Sequence, residues 1–309
     1  MDRNAFRADL LLLLTAAIWG FAFVAQRVGM DHVGPFTYNG IRFAIGSLSL
    51  LPLIILTKRK EPAAIPGGDA RAILVGGLMA GIILFAGASL QQAGLVYTTA
   101  GNAGFITGLY VVIVPLLGLF WKQNPGAGTW IGAILAAVGL YFLSVSDGLS
   151  SISFGDLLVL LSAFFWAGHV LLIGWLAPKM NSLKLASAQF AICALFSLLV
   201  AAGTEVITWA GILRATLPIL YGGLFSVGIA YTLQVVAQRH AHPAHSAILL
   251  SLEGAFAALG GWLLLDEVLT GRALLGCTLM LGGMLLSELS GYLFKTSNKN
   301  SPLKETPTP

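Results

Sequence analysis

Ten apolar stretches follow one another along the chain, at residues 9–28, 36–56, 72–95, 98–121, 129–145, 156–177, 182–202, 217–238, 244–265 and 272–289. Short polar or charged hinges separate them. A helix that crosses the hydrocarbon core of a bilayer takes about 20 mostly apolar residues, so the pattern predicts an all-α membrane protein with ten transmembrane helices. The runs are continuously apolar rather than alternating with period two, which excludes a transmembrane β-barrel. Hinges as short as 30–34 and 266–271 make neighbouring helices antiparallel.

The composition agrees with this reading. Hydrophobic residues make up 57% of the 309 positions, 37 more are glycine, and only 10% are charged, against about 25% charged in a soluble domain. A soluble globular protein of this size could not cover so much apolar surface, and disorder is excluded on the same ground. Ten spans consume most of the chain, which leaves no room for a separate soluble catalytic domain. Cys193 and Cys277 lie inside apolar runs and read as small buried hydrophobes rather than a disulfide. The formal net charge of +4 does not imply nucleic acid, because the basic residues fall between the spans and form no folded patch.

Their distribution sets an orientation. With the N-terminus inside, the cytoplasmic segments hold Arg3, Arg7, Lys58, Arg59, Lys60, Arg71, Lys122, Lys179, Lys184, Arg239, Lys295, Lys299 and Lys304. The opposite side holds only Arg214 and Arg272. Cytoplasmic loops retain Lys and Arg, so both termini are expected in the cytoplasm, with residues 291–309 forming a disordered cytoplasmic tail.

The chain also repeats itself. Asp9 through Thr15 and Trp19 match Asp156 through Ser162 and Trp166; Gly76, Gly77 and Gln92 match Gly222, Gly223 and Gln238; Gly132 and Gly139 match Gly276 and Gly283. Residues 1–148 and 149–290 therefore read as two copies of one five-helix unit. An odd number of spans per unit inserts the second copy upside down. Such inverted repeats occur in secondary transporters, with the substrate near the midplane between the halves.

The run from Gln238 to Glu267, containing Glu253-Gly254 and Asp266-Glu267 and followed by Gly276 and Gly283, resembles the end of an EamA domain of the drug/metabolite transporter superfamily. Trp19-Gly20, Arg42-Phe43 and the run from Tyr97 to Gly104 resemble the same domain in the first half. The resemblance spans residues 9–290 and implies a ten-helix carrier that moves small metabolites such as amino acids, often outward, in a bacterial inner membrane. Two positions depart from the pattern. Gly254 stands where proline commonly follows the glutamate, which leaves the bend of the ninth span open. Lys122-Gln123 stands in the first half where the second has Asp266-Glu267, so the acidic end is needed only once.

Polar groups retained inside hydrocarbon usually face a cavity or another helix. Helical spacing places Thr15, Trp19 and Gln26 on one stripe of the first span, with Ser162, Trp166 and His169 on its repeat partner. Tyr231, Gln234 and Gln238 share a face of the eighth span, while Ser89 and Gln92 share one of the third. Trp19, Gln26, Asn39, Arg42, Gln92, Trp166, His169, Tyr231 and Gln234 are the expected substrate-cavity residues; interhelical hydrogen bonding is the alternative use of the glutamines. Arg42, beside Asn39, either binds a substrate carboxylate bidentately or pairs within the fold. Glu253 either carries the proton of a coupled cycle or is a structural charge.

His240, His242 and His245 lack the cysteine or carboxylate partners of a metal cluster, so neither a metal nor a cofactor is expected. Glycines spaced by seven on the fifth and tenth spans point to close helix packing, and the same faces can serve a homodimer. An intramembrane enzyme would need a Ser/His pair, paired aspartates or a metal motif at membrane depth, and the chain shows none of these; no nucleotide-binding GxxxxGK[ST] occurs either. A non-transporting membrane partner protein is the remaining alternative. The reading is a secondary transporter by alternating access, not an enzyme, whose partners are a small-molecule substrate and the lipid bilayer.

Overall fold

The computed structural model describes residues 3–58, 70–98, 100–123, 125–144, 153–264 and 270–297. Those residues are helical throughout, with no strand among them. The first half holds α1 (Arg3–Gly29), α2 (Pro35–Lys58), α3 (Ala70–Gly94), α4 (Ala100–Gly108), α5 (Tyr110–Phe120) and α6 (Ala127–Ser144). The second holds α7 (Phe154–Leu176), α8 (Ser182–Thr204), α9 (Trp209–Arg214), α10 (Thr216–Leu220), a π-helical stretch Tyr221–Tyr231, α11 (Thr232–Ala237), α12 (Pro243–Leu250), α13 (Glu253–Leu264) and α14 (Gly271–Ser297).

Seven of the segments are long and apolar enough to cross a membrane, and three shorter apolar helices, Ile106–Phe120, Ala127–Phe142 and Leu274–Ser287, fall in the remaining expected spans. Helix α14 continues to Ser297, so residues 291–297, expected in a tail, are helical. Asp266, Glu267, Arg59, Lys60, Lys299, Lys304 and the rest of the expected tail lie outside the described residues.

Helix starts follow local chemistry. Ser153 and Asp156 cap α7 reciprocally, a capping box that satisfies two orphan donors. Asn181 caps α8 by accepting from the Lys184 N–H at 3.0 Å. Pro243 opens α12, where its missing N–H costs nothing. Helix α5 ends through Lys122 at φ 57°, the left-handed position usually held by glycine.

The fourth and ninth spans are each interrupted by one tightened turn, at Leu109 and at Ser251–Leu252. Three-residue hydrogen bonds mark both: the Leu109 N–H to the Ile106 carbonyl at 3.2 Å, and the Gly254 N–H to the Ser251 carbonyl at 3.1 Å. The ninth span thus bends without the proline that Gly254 replaces. The eighth span changes character instead, with glycines in its π-helical stretch against α2: a Cβ on Gly223 would lie 2.8 Å from the Ile45 side chain.

Packing pairs up under exchange of the halves. Helix α1 lies on α12 and α13, as α7 lies on α4 and α5; α3 packs on α7 and α8, as the π-helical stretch packs on α1 and α2. Helices α2 and α8 meet across Ser47 and Ser187, whose hydroxyls lie 3.2 Å apart. The glycine faces of α6 and α14 meet each other: a Cβ on Gly132 would lie 2.7 Å from the Gly283 carbonyl, and one on Gly139 2.6 Å from that of Gly276. Those faces, read from their spacing as close-packing surfaces, pack on each other within the chain, because only glycine lets two backbones come so close.

The outer surface is apolar, with Leu48, Ile55, Leu74, Leu160, Leu199 and Leu263 exposed. Trp121, Trp175, Trp209 and Trp262 are exposed toward helix ends, as in an interfacial aromatic belt. Trp166 is buried in the core and Trp19 packs against it.

Candidate functional site

A central cavity lies where the bent fourth and ninth spans meet α1, α2, α3, α7 and the eighth span. Its walls take residues from both halves. Of the expected cavity residues, Trp19, Gln26, Arg42, Trp166, His169, Tyr231 and Gln234 line it, and so does Glu253, expected as a proton carrier or a structural charge. The space open to the centre of a water molecule is about 30 Å³, room for about two waters.

Tyr231 is the hub of its aromatic wall. The ring lies 4.4 Å from Trp19, 6.1 Å and nearly stacked from Trp166, and 6.2 Å edge-on from His169, centroid to centroid. Phe43 and Phe190 complete the shell at 5.9 and 6.0 Å. The Trp19 indole N–H donates to the Ser226 carbonyl at 3.2 Å, which ties α1 to the π-helical stretch. His169 Nε2 lies 2.8 Å from Gln189 Oε1, an oxygen that accepts the ring N–H.

Arg42 is 2% exposed. Its Nε–H donates to Asn39 Oδ1 at 3.0 Å, and Asn39 in turn donates to the Ala88 carbonyl at 3.0 Å. The guanidinium carbon sits 5.3 Å from the Tyr38 ring centroid and 5.0 Å from that of Phe43. These contacts fix the plane of the fork and leave its two terminal nitrogens with no partner among the described residues. Arg42 is among the residues that line the cavity. Around the same space, Gln26 Oε1, Gln234 Oε1 and Trp166 Nε1 are buried without a hydrogen-bond partner among the described residues, and the Tyr110 hydroxyl is paired with the Glu253 carboxyl. Buried polar groups are normally satisfied, and here the unsatisfied donors and acceptors converge on one space.

Two expected residues do not line it. Asn39 acts one step back, by orienting Arg42. Gln92 is fully buried away from the cavity, with neither amide atom partnered; its neighbour Gln91 lines the wall instead and donates to Thr107 Oγ1 at 2.9 Å. One residue is a rotation of about 100° on a helix, and the period alone did not decide which glutamine faces inward. Phe23, Gln91, Thr107, Tyr110 and Ser226 were missed. Phe23 continues the stripe of Trp19 and Gln26, and Thr107 and Tyr110 share a face at i, i+3, so spacing held part of the signal.

The histidine turn does other work. His245 Nε2 lies 2.9 Å from Asp9 Oδ1, and His242 Nδ1 accepts from the Ala244 N–H at 3.4 Å, which caps α12. Burial and the neighbouring His245 push the His242 pKa below its ordinary value, which favours the neutral form that a cap requires. No three candidate metal ligands cluster among the described residues.

The EamA-like transporter family matches the chain twice, at residues 6–145 and 153–289. An Archaeoglobus fulgidus protein named an uncharacterized transporter is 34% identical over 287 residues, which cover 91% of this chain and 86% of that one. The Escherichia coli uncharacterized inner membrane transporter YedA is 25% identical over 300 residues, covering 93% and 92%, and the Bacillus subtilis uncharacterized transporter YoaV 24% over 296, covering 90% and 96%. A solved crystal structure at 18% identity superposes with a TM-score of 0.73 over 93% of this chain and 98% of that one; at that identity the likeness shows the fold. A chain so long in apolar helix, matched by this family over nearly its whole length, is an integral multi-pass membrane protein, and it belongs to the EamA-like transporter family.

Proposed function

We propose that this transporter is a secondary carrier that exports a small carboxylate-bearing metabolite, an amino acid or a related compound, by alternating access around the central cavity. The observation that carries the reading is Arg42. The buried Arg42 lines the cavity, and a guanidinium with no carboxylate within ion-pair distance among the described residues is suited to bidentate recognition of a planar anion. The aromatic wall around Tyr231 would take the body of the ligand, and Glu253 on the opposite half is placed to meet a cationic group or to carry a proton.

The setting is the inner membrane, as for the E. coli relative. Ten crossings with both termini cytoplasmic follow from the distribution of basic residues. The space open to the centre of a water molecule is about 30 Å³, so a bulkier ligand is admitted when the halves part. Motion of one inverted half against the other provides this.

The test is transport in proteoliposomes with a panel of labelled amino acids, sugars and nucleosides, with and without a pH gradient. Carboxylate-bearing solutes are expected to move, and Arg42→Lys to weaken their apparent affinity, because an ammonium keeps the charge and loses the fork. Movement of only neutral solutes, unaffected at Arg42, would overturn the carboxylate reading.

A further inference from the structure

Two hydrogen bonds join the halves at opposite ends of the molecule. At one end His245, in the first turn of α12, meets Asp9 of α1 at 2.9 Å. At the other, the Thr98 hydroxyl, just before α4, donates to Asp156 of α7 at 2.6 Å. Asp9 and Asp156 are equivalent in the repeat, 147 positions apart, and their partners lie at the starts of the corresponding spans, Thr98 just before α4 and His245 in the first turn of α12. The two contacts are thus of one kind, inverted: an aspartate near the start of one half's first helix is held by a residue at the entry to the other half's interrupted span. Both are made in this structure, on either side of the cavity.

The two ends are not equally fastened. Around Asp156 the Ser153 backbone N–H donates to Oδ2 at 2.8 Å, which anchors the carboxylate to its own helix. A Cβ on Gly155 would lie 2.6 Å from the Gly94 carbonyl, so the backbones touch, and Tyr97 packs edge-on against Phe154 at 5.9 Å. At the other end the equivalent positions of the first helix hold Phe6 for Ser153, Ala8 for Gly155 and Arg7 for Phe154. The cap, the glycine approach and the aromatic pair have no counterpart there.

Resting on the alternating-access reading, we infer that Asp9–His245 and Thr98–Asp156 are the two gates of the carrier, one per membrane face, and that the Asp9–His245 gate is the more readily opened. A symmetric carrier with equal gates would have no preferred side. The missing fastenings bias this one toward the face of Asp9, the expected cytoplasmic side.

The experiment uses a cysteine at Ser226, in the cavity wall, in a chain whose Cys193 and Cys277 are replaced by alanine. Its labelling by a membrane-impermeant maleimide is compared in right-side-out and inside-out vesicles, and a separate cysteine at Arg239, beside the His245 turn, marks the Asp9 face. The parent is expected to label faster from the Asp9 face. Loss of one hydrogen bond shifts a two-state equilibrium about five- to tenfold, so His245→Ala should raise the ratio of labelling from the Asp9 face by that factor and Thr98→Val should lower it. His245→Thr, which copies the other gate's chemistry, keeps the fold and should lie between parent and His245→Ala. Shifts in one direction for both variants, or none, with transport retained, would overturn the gates and leave the carrier. Absence of labelling from either face in every variant would remove alternating access itself, and the gates with it.

Discussion

The crossing of α6 and α14 offers the sharpest test of the packing. A methyl group added at Gly139 would sit 2.6 Å from the Gly276 carbonyl oxygen and 2.9 Å from the Met280 nitrogen. Both obstacles are backbone and cannot rotate away. Ordinary contact begins at 3.4 Å, so the helices would have to part by about 1 Å, with loss of dispersion along the crossing. Overpacking of this kind costs about 1–3 kcal/mol. Gly282, on the same α14, has nothing within 4 Å of its would-be Cβ, and alanine there is favoured over glycine by about 0.5–1 kcal/mol in a helix. That propensity gain is common to both changes, so Gly139→Ala should be less stable than Gly282→Ala by the overpacking cost alone, about 1–3 kcal/mol. Unfolding in mixed micelles, followed by tryptophan fluorescence, measures the difference. A Gly139→Ala protein as stable as Gly282→Ala would refute the close crossing.

Three further outcomes follow from the geometry. Gln91→Ala should reduce transport while Gln92→Ala leaves it intact, because only Gln91 borders the cavity; the reverse order in a flux assay would displace the wall. Glu205 accepts the Phe36 and Thr37 N–H groups at 2.7 and 2.8 Å and so caps α2 from the other half. Glu205→Gln should then lower stability by about 1–2 kcal/mol, and an unchanged melting temperature would contradict this. Lys122→Gly should stabilise by about 0.5–1 kcal/mol by relieving the positive φ, and a lower melting temperature would count against that turn.

Much of this architecture was legible along the chain. Runs of about 20 apolar residues can only be buried or lie in lipid, and the doubled pattern from Asp9 and Asp156 onward implied two inverted units. Trp19, Gln26, Trp166, His169, Tyr231 and Gln234 were legible as cavity residues because a polar or aromatic stripe at helical spacing inside a span has few other places to go. Arg42 stood out for its cost in hydrocarbon; its orientation by Asn39 was not legible, since that depends on a contact with α3.

Sequence alone determined the membrane class, the helical content, the repeat and most of the polar inventory, all of which follow from composition and period. Tertiary structure decided what those properties leave degenerate. It chose Gln91 over Gln92 as the inward amide, bent the ninth span at Ser251–Leu252 without a proline, and turned the glycine faces of α6 and α14 onto each other rather than outward. It also brought Asp9 to His245 and Thr98 to Asp156 across 236 and 58 residues of chain. The physical reason is common to all four: periodicity fixes which residues share a face of one helix, but the rotation of that face and its partner are set by packing against helices distant in sequence.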